Sequence, residues 1–326
     1  MKLIRILPII LIMLLIFGAC SNNGAKDANS MPDGDKVNIV TSFYPMYIFT
    51  KNIAKDIDSV NVVNMAEPQT GCLHDYQMTP ADMKIVENAD IMVINGAGME
   101  AFTDKIINAR PNLKLVEASK GLELIEEEHG HDYKADEDSG DDHKTDEGVG
   151  HEDEHNVNAH IWVSISGAID EVKNIGEQLA VADPDNAEKY KSNTSEYVKK
   201  LEAQKEKMAA ALKDIKDRNI VTFHEAFPYF AKEFNLNIIE VIEIEDESKT
   251  SAGELADSIK KIKESNVKAL FAEPKYSSNI IQTVAKETGI KVYELDPVVT
   301  GPQDADMDAY IKAMDKNLEV LVEALK

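Results

Sequence analysis

KYKSNTSEYVKKLEAQKEKMAAALKDI, residues 189–215, decides how the rest of the chain is read. It belongs to a run from Pro184 to about Lys216 that has neither Gly nor an internal Pro, and Asp183-Pro184 supplies the helix start. Tyr190, Tyr197, Leu201, Met208 and Leu212 follow one another at separations of 7, 4, 7 and 4, which lays one apolar stripe along a helix face. A helix of that length extends about 45–50 Å, more than a lobe of this chain is wide. A surface helix of a single lobe has no need of such reach. Residues 184–216 are therefore expected to be a rigid helix joining two lobes.

Both flanks alternate strand and helix. In 37–183, apolar runs at 37–42, 59–65, 90–95 and 114–117 read as strands, with helices between them and another over 166–181. Thr79-Pro80-Ala81-Asp82 is a helix start in which Thr79 caps, Pro80 takes the first helical position and Asp82 lies in the first turn. In 217–326, strands are expected at 219–223, 238–244, 269–273 and 291–295, and helices from near 226, at 252–265, at 279–288 and at 306–325. The fold class is α/β: two lobes with mostly parallel sheets, joined by one helix, with any ligand site in the cleft between them.

Residues 123–155 interrupt the first lobe. They carry fifteen Asp or Glu against two Lys, 13 of the chain's 24 net negative charges, and five of its eight histidines: His129, His131, His143, His151 and His155. So polar a run has almost nothing to bury against the entropy of ordering, so a loop is expected. Its imidazoles and carboxylates are ligand types that divalent metals accept, which makes it an auxiliary, weak metal-collecting loop; the alternative is a merely solubilising insertion. With a net charge of -24 and no basic stripe, nucleic acid is not an expected partner.

Lys2 and Arg5 precede an apolar run from Ile6 to Phe17, which Gly18-Ala19-Cys20 closes. A helix of that run spans roughly 18 Å against a hydrocarbon core of ~30 Å, so residues 1–19 read as a signal peptide rather than a membrane span. Gly18-Ala19-Cys20 resembles a bacterial lipobox, which implies cleavage before Cys20, lipid on its thiol, and residues 20–36 as a flexible tether. The localisation so implied is the extracytoplasmic face of the cell membrane. Cys72 is then the sole remaining cysteine, so no intramolecular disulfide is expected. It reads as a small buried residue, or as a metal ligand two positions before His74.

Three histidines outside the acidic run share a setting. His74 follows the second strand, His160 heads the return from the loop in the Asn158-Ala159-His160-Ile161-Trp162-Val163 segment, and His224 ends the first strand of the second lobe. Open α/β sheets bind ligands beyond the carboxyl ends of their strands, and two lobes tied by a helix bring such ends to one cleft. Asp296, also at a strand end, is the natural fourth ligand. Three imidazoles with a carboxylate or water suit zinc at about 2.0–2.2 Å.

Gly71-Cys72-Leu73-His74-Asp75-Tyr76-Gln77-Met78-Thr79-Pro80-Ala81-Asp82, Asn95-Gly96-Ala97-Gly98-Met99-Glu100 and His160-Ile161-Trp162-Val163 resemble the zinc/manganese solute-binding lipoproteins of ABC importers. So do His224-Glu225-Ala226-Phe227-Pro228-Tyr229, Phe271-Ala272-Glu273-Pro274 and Leu295-Asp296-Pro297. The resemblance runs in order over residues 37–326, and the acidic His-rich loop has its counterpart there. It implies a metal held by His74, His160, His224 and Asp296, modest lobe movement, a monomer, and delivery to an ABC permease with its ATPase. Manganese-type relatives tend to have Glu at the third position. His224 there points to Zn(II), with Mn(II) the alternative cargo. Cys72-Leu73 stands where acidic and small residues are more usual, and Asp296 lies in an Asp-Pro context, so the fourth ligand stays open among Asp296, another carboxylate and water.

Two other classes share part of this pattern. Three histidines and a water also make a hydrolase site, but in His224-Glu225 the second His of an HExxH helix is replaced by Pro228, which also breaks that helix, so no enzyme is expected. A surface adhesin is the other; converging histidines argue against a purely structural role.

Overall fold

The computed structural model describes residues 36–66, 76–126, 157–244, 251–274, 278–302 and 304–326. Val37–Thr41 (β1) is buried along almost its whole length, as a central parallel strand covered on both faces must be. It pairs in parallel with Val60–Asn64 (β2) on one side and Ile91–Ile94 (β3) on the other, and Lys114–Glu117 (β4) completes the sheet in the order β2-β1-β3-β4. Parallel neighbours need crossovers, and Tyr44–Ile53 (α1), Pro80–Glu87 (α2) and Thr103–Ala109 (α3) supply them. The start of α2 is the capping box expected from the sequence: Asp82 N–H donates to Thr79 Oγ1 at 3.3 Å and Thr79 N–H to Asp82 Oδ2 at 2.7 Å.

After Ile165–Ala182 (α4) and Ala187–Leu212 (α5), the second lobe repeats the scheme. Asn219–Thr222 (β5), Asn237–Val241 (β6), Ala269–Ala272 (β7) and Val292–Glu294 (β8) form a parallel sheet in the order β6-β5-β7-β8. Pro228–Phe234 (α6), Ala252–Glu264 (α7) and Asn279–Thr288 (α8) connect them, and Ala309–Leu325 (α9) follows. The two sheets share one order, so each has a switch point where the chain reverses direction: between β1 and β3, and between β5 and β7.

The joining helix is shorter than 184–216. Pro184–Asn186 is a 3₁₀ turn, and α5 then runs 26 residues, about 39 Å. Asp183 holds the turn by accepting from Asn186 Nδ2 at 2.7 Å and from Tyr190 Oη at 2.8 Å. At the other end Arg218 folds back and donates to the carbonyls of Leu212 and Lys213 at 3.1 and 3.2 Å, satisfying acceptors that further helix would otherwise have used. The apolar stripe is buried throughout. α5 lies along α4, touching α1 of the first lobe and α9 of the second. Asn193 donates to the Ile53 and Lys55 carbonyls at the end of α1, and Lys207 pairs with Asp315 of α9 at 2.6 Å.

One apolar core passes through both lobes, with a smaller cluster on the outer side of each sheet. Trp162, fully buried, sits at the junction. Its Nε1 donates to the Pro297 carbonyl at 2.8 Å, its own carbonyl accepts from Tyr310 Oη at 2.7 Å, and Phe43 meets its ring edge-on. Among the described residues no helix is long and apolar enough to cross a membrane.

Candidate metal centre

β5 and β7 are neighbours, with Thr222 opposite Phe271. Two residues further along each chain stand His224 and Glu273, so the same register carries both past the sheet's carboxyl edge at the switch point. His224 Nδ1 is hydrogen-bonded to Glu273 Oε1, and both side chains are buried, 5% and 8% exposed. A carboxylate accepts from the ring and thereby fixes which nitrogen carries the proton.

His160 reaches the same place from the first lobe. It is 1% exposed, and its ring meets that of His224 edge to face with centroids 4.9 Å apart. Asn158 Oδ1 lies 3.3 Å from His160 Nδ1 and accepts the His160 backbone N–H at 3.0 Å. The orientation of the Asn158 amide follows from its other bond, Nδ2 donating to the Glu225 carbonyl at 2.7 Å. An amide oxygen only accepts, so His160 Nδ1 bears a proton. Both imidazoles thus have Nδ1 committed to an oxygen.

The matching switch point of the first lobe holds a carboxylate instead. Glu100 accepts from Ser42 Oγ at 2.7 Å and from the N–H groups of Asn95 and Gly96 at 2.8 and 3.0 Å. Burial pushes its proton affinity up to about 7, although these three donors favour the charged form. Asn95 in turn donates to the Ala159 carbonyl at 3.0 Å, which braces the residue before His160.

Asp296 follows β8, half-buried, on a loop held to α9: its N–H donates to Asn317 Oδ1 at 2.9 Å and its carbonyl accepts from Asn317 Nδ2 at 2.7 Å. Its Oδ1 accepts from Val298 N–H at 2.8 Å. Burial, and then the Asp296 charge, push the Tyr44 hydroxyl up to about 12. Among the described residues no three His, Cys, Asp or Glu side chains gather closely enough to hold an ion by themselves. His74 and Cys72 (within 67–75), the five loop histidines (within 127–156) and Cys20 lie outside the described residues. Of the expected ligands, the structure therefore brings His160 and His224 together.

The neck of the acidic segment is closed where residues 126 and 157 meet. Glu126 pairs with Val157 as an antiparallel bridge, and Asn158 N–H donates to the Ile125 carbonyl at 2.8 Å. Tyr229 of the second lobe clasps this neck: its hydroxyl takes a bond from Ile125 N–H at 2.9 Å and donates to the Asn158 carbonyl at 2.8 Å.

Two parallel lobes of one topology, a helix between them and a pair of oriented imidazoles where they meet define a helix-linked solute-binding protein. The chain belongs to the zinc-uptake complex component A periplasmic family, which it matches over residues 39–324. It is thus the binding component of a zinc-uptake system, not an enzyme. It is 34% identical over 319 residues to the high-affinity zinc uptake system protein ZnuA of Bacillus subtilis (strain 168), covering 95% of this chain and 94% of that one. To the zinc-binding lipoprotein AdcA of Streptococcus pneumoniae serotype 4 it is 30% identical over 315 residues, 94% of this chain but 58% of AdcA, so it spans little more than half of that protein. A crystal structure of ZnuA superimposes with a TM-score of 0.72 at 27% identity, covering 90% of this chain and all of the other.

Proposed function

We propose that this chain captures Zn(II) between its lobes through His74, His160 and His224, with Asp296 or a water as fourth ligand, and hands it to an ABC permease driven by its ATPase. The observation that carries the reading is the His160–His224 pair. Two imidazoles bound tetrahedrally to one zinc through nitrogens at ~2.0–2.1 Å put their ring centroids about 5 Å apart. The observed separation is 4.9 Å. With Nδ1 of each ring given to Asn158 or Glu273, coordination falls to Nε2, the arrangement in which a second partner fixes tautomer and orientation. Three imidazoles favour zinc over manganese, which prefers carboxylate and water.

Cys20 carries the lipid and holds the chain at the extracytoplasmic face, a reading that the lipoprotein AdcA supports. The histidines of the acidic segment add weak, exchangeable binding. The biological test is deletion of the gene. Growth should fail in zinc-chelated medium and return with added zinc or the wild-type gene, but not with a His160→Ala copy. Rescue by manganese in place of zinc would contradict the assignment.

A further inference from the structure

Asn158 stands between the two histidines without belonging to either ligand set, and it is 1% exposed. Its side-chain oxygen faces His160 Nδ1; its side-chain nitrogen donates to the carbonyl of Glu225, the residue after His224. One planar amide therefore spans the lobes and joins the loop of one ligand to the loop of the other. Tyr229 seats it from behind through the Asn158 carbonyl. Every one of these bonds is buried or partly buried, where a lost partner leaves an unsatisfied group rather than a hydrated one.

We propose that Asn158 is the positioning residue that fixes the spacing of His160 and His224 and thereby the preference for a small tetrahedral ion over manganese; this rests on the metal reading of those histidines. A rigid amide couples ring tautomer on one side to loop position on the other. Without it, His160 loses its Nδ1 acceptor and the Glu225 loop loses its tether. The two ligands then separate or rotate, and a site relaxed in that way admits an ion with longer bonds and more ligands.

The test compares wild type, Asn158→Ala, Asn158→Asp, Tyr229→Phe and His160→Ala by chelator competition for zinc and manganese, by the visible absorption of bound Co(II), and by melting of the metal-free proteins. Asn158→Ala should weaken zinc binding about 10–100-fold, narrow the zinc-to-manganese ratio and alter the cobalt spectrum. Asn158→Asp keeps the acceptor for His160 and loses the donor to Glu225, so it should recover part of the affinity. Tyr229→Phe deletes one hydroxyl only, and should shift the ratio in the same direction by a smaller factor even if Asn158→Ala fails to fold. Folded Asn158 and Tyr229 variants with wild-type affinity, ratio and spectrum, beside a His160→Ala protein that has lost the tight site, would overturn the role of Asn158 alone. A His160→Ala protein that binds like wild type would overturn the site and this inference with it.

Discussion

In the proposed site Glu273 orients a zinc ligand without being one. It holds His224 through a buried Nδ1–Oε1 bond. Glu273→Ala removes the oxygen that accepts from His224 Nδ1 in a site that water scarcely reaches, at a cost to the metal-free protein of about 1–3 kcal/mol. The ring is then able to turn or to move its proton to Nε2, the nitrogen needed for zinc. Loss of such an orienting carboxylate weakens metal affinity about 10–100-fold, which is about 1.4–2.7 kcal/mol. Glu273→Gln keeps an acceptor and removes the charge, so a loss of roughly tenfold is expected. Chelator competition at one pH gives the affinities, and denaturant melts of the metal-free proteins give the stabilities. A stability loss in Glu273→Ala with zinc affinity within twofold of wild type would leave Glu273 a packing partner of His224 and nothing more, contrary to an orienting role.

Glu171 on α4 is fully buried, with no hydrogen-bond partner for either oxygen among the described residues. Burial, then the charges of Glu100 and Asp170, raise its proton affinity well above the ordinary range. A carboxyl whose folded pKa lies above its unfolded one supports the fold fully below the unfolded value and loses that support as pH rises. Glu171→Met should accordingly stabilise by about 1–3 kcal/mol at pH 8 and by much less at pH 4; equal effects at both would contradict this. At Gly176 an added Cβ would lie 2.1 Å from Thr194 Oγ1, so Gly176→Ala should push α4 from α5 and destabilise by about 1–3 kcal/mol despite its better helix propensity. Thr194→Ala should restore most of that, and a melt showing no rescue would place the clash elsewhere. Replacing residues 127–156 with a short turn behind the Glu126–Val157 bridge should keep one tight zinc equivalent and remove weaker ones; loss of the tight equivalent would mean that the segment supplies a ligand.

Much of this was legible locally. Runs such as Val37-Asn38-Ile39-Val40-Thr41 have no other stable use than a buried strand, and Thr79-Pro80-Ala81-Asp82 satisfies its own helix end within four residues. His224 was found by its place after a strand. Glu273 was legible as a strand end within Phe271-Ala272-Glu273-Pro274, but its pairing with His224 was not, because the two lie 49 residues apart and meet through the non-consecutive order β6-β5-β7-β8. The same reason hid Asn158, whose second bond goes to a carbonyl of the other lobe, and the true end of α5, which Arg218 closes from beyond the helix. Periodicity reports what a segment buries. It does not report which distant group meets a side chain at a junction.

His160 and His224 together imply a single tight zinc site between the lobes. Metal-competition calorimetry on residues 21–326, with zinc and manganese, compared with His160→Ala and His224→Ala, tests it most directly. One tight zinc equivalent is expected, absent from both variants, not displaced by manganese, and stabilising the fold by about 4 kcal/mol at a thousandfold excess over Kd. Several weak equivalents unaffected by either substitution would contradict it and leave the acidic segment as the metal-binding part of the chain.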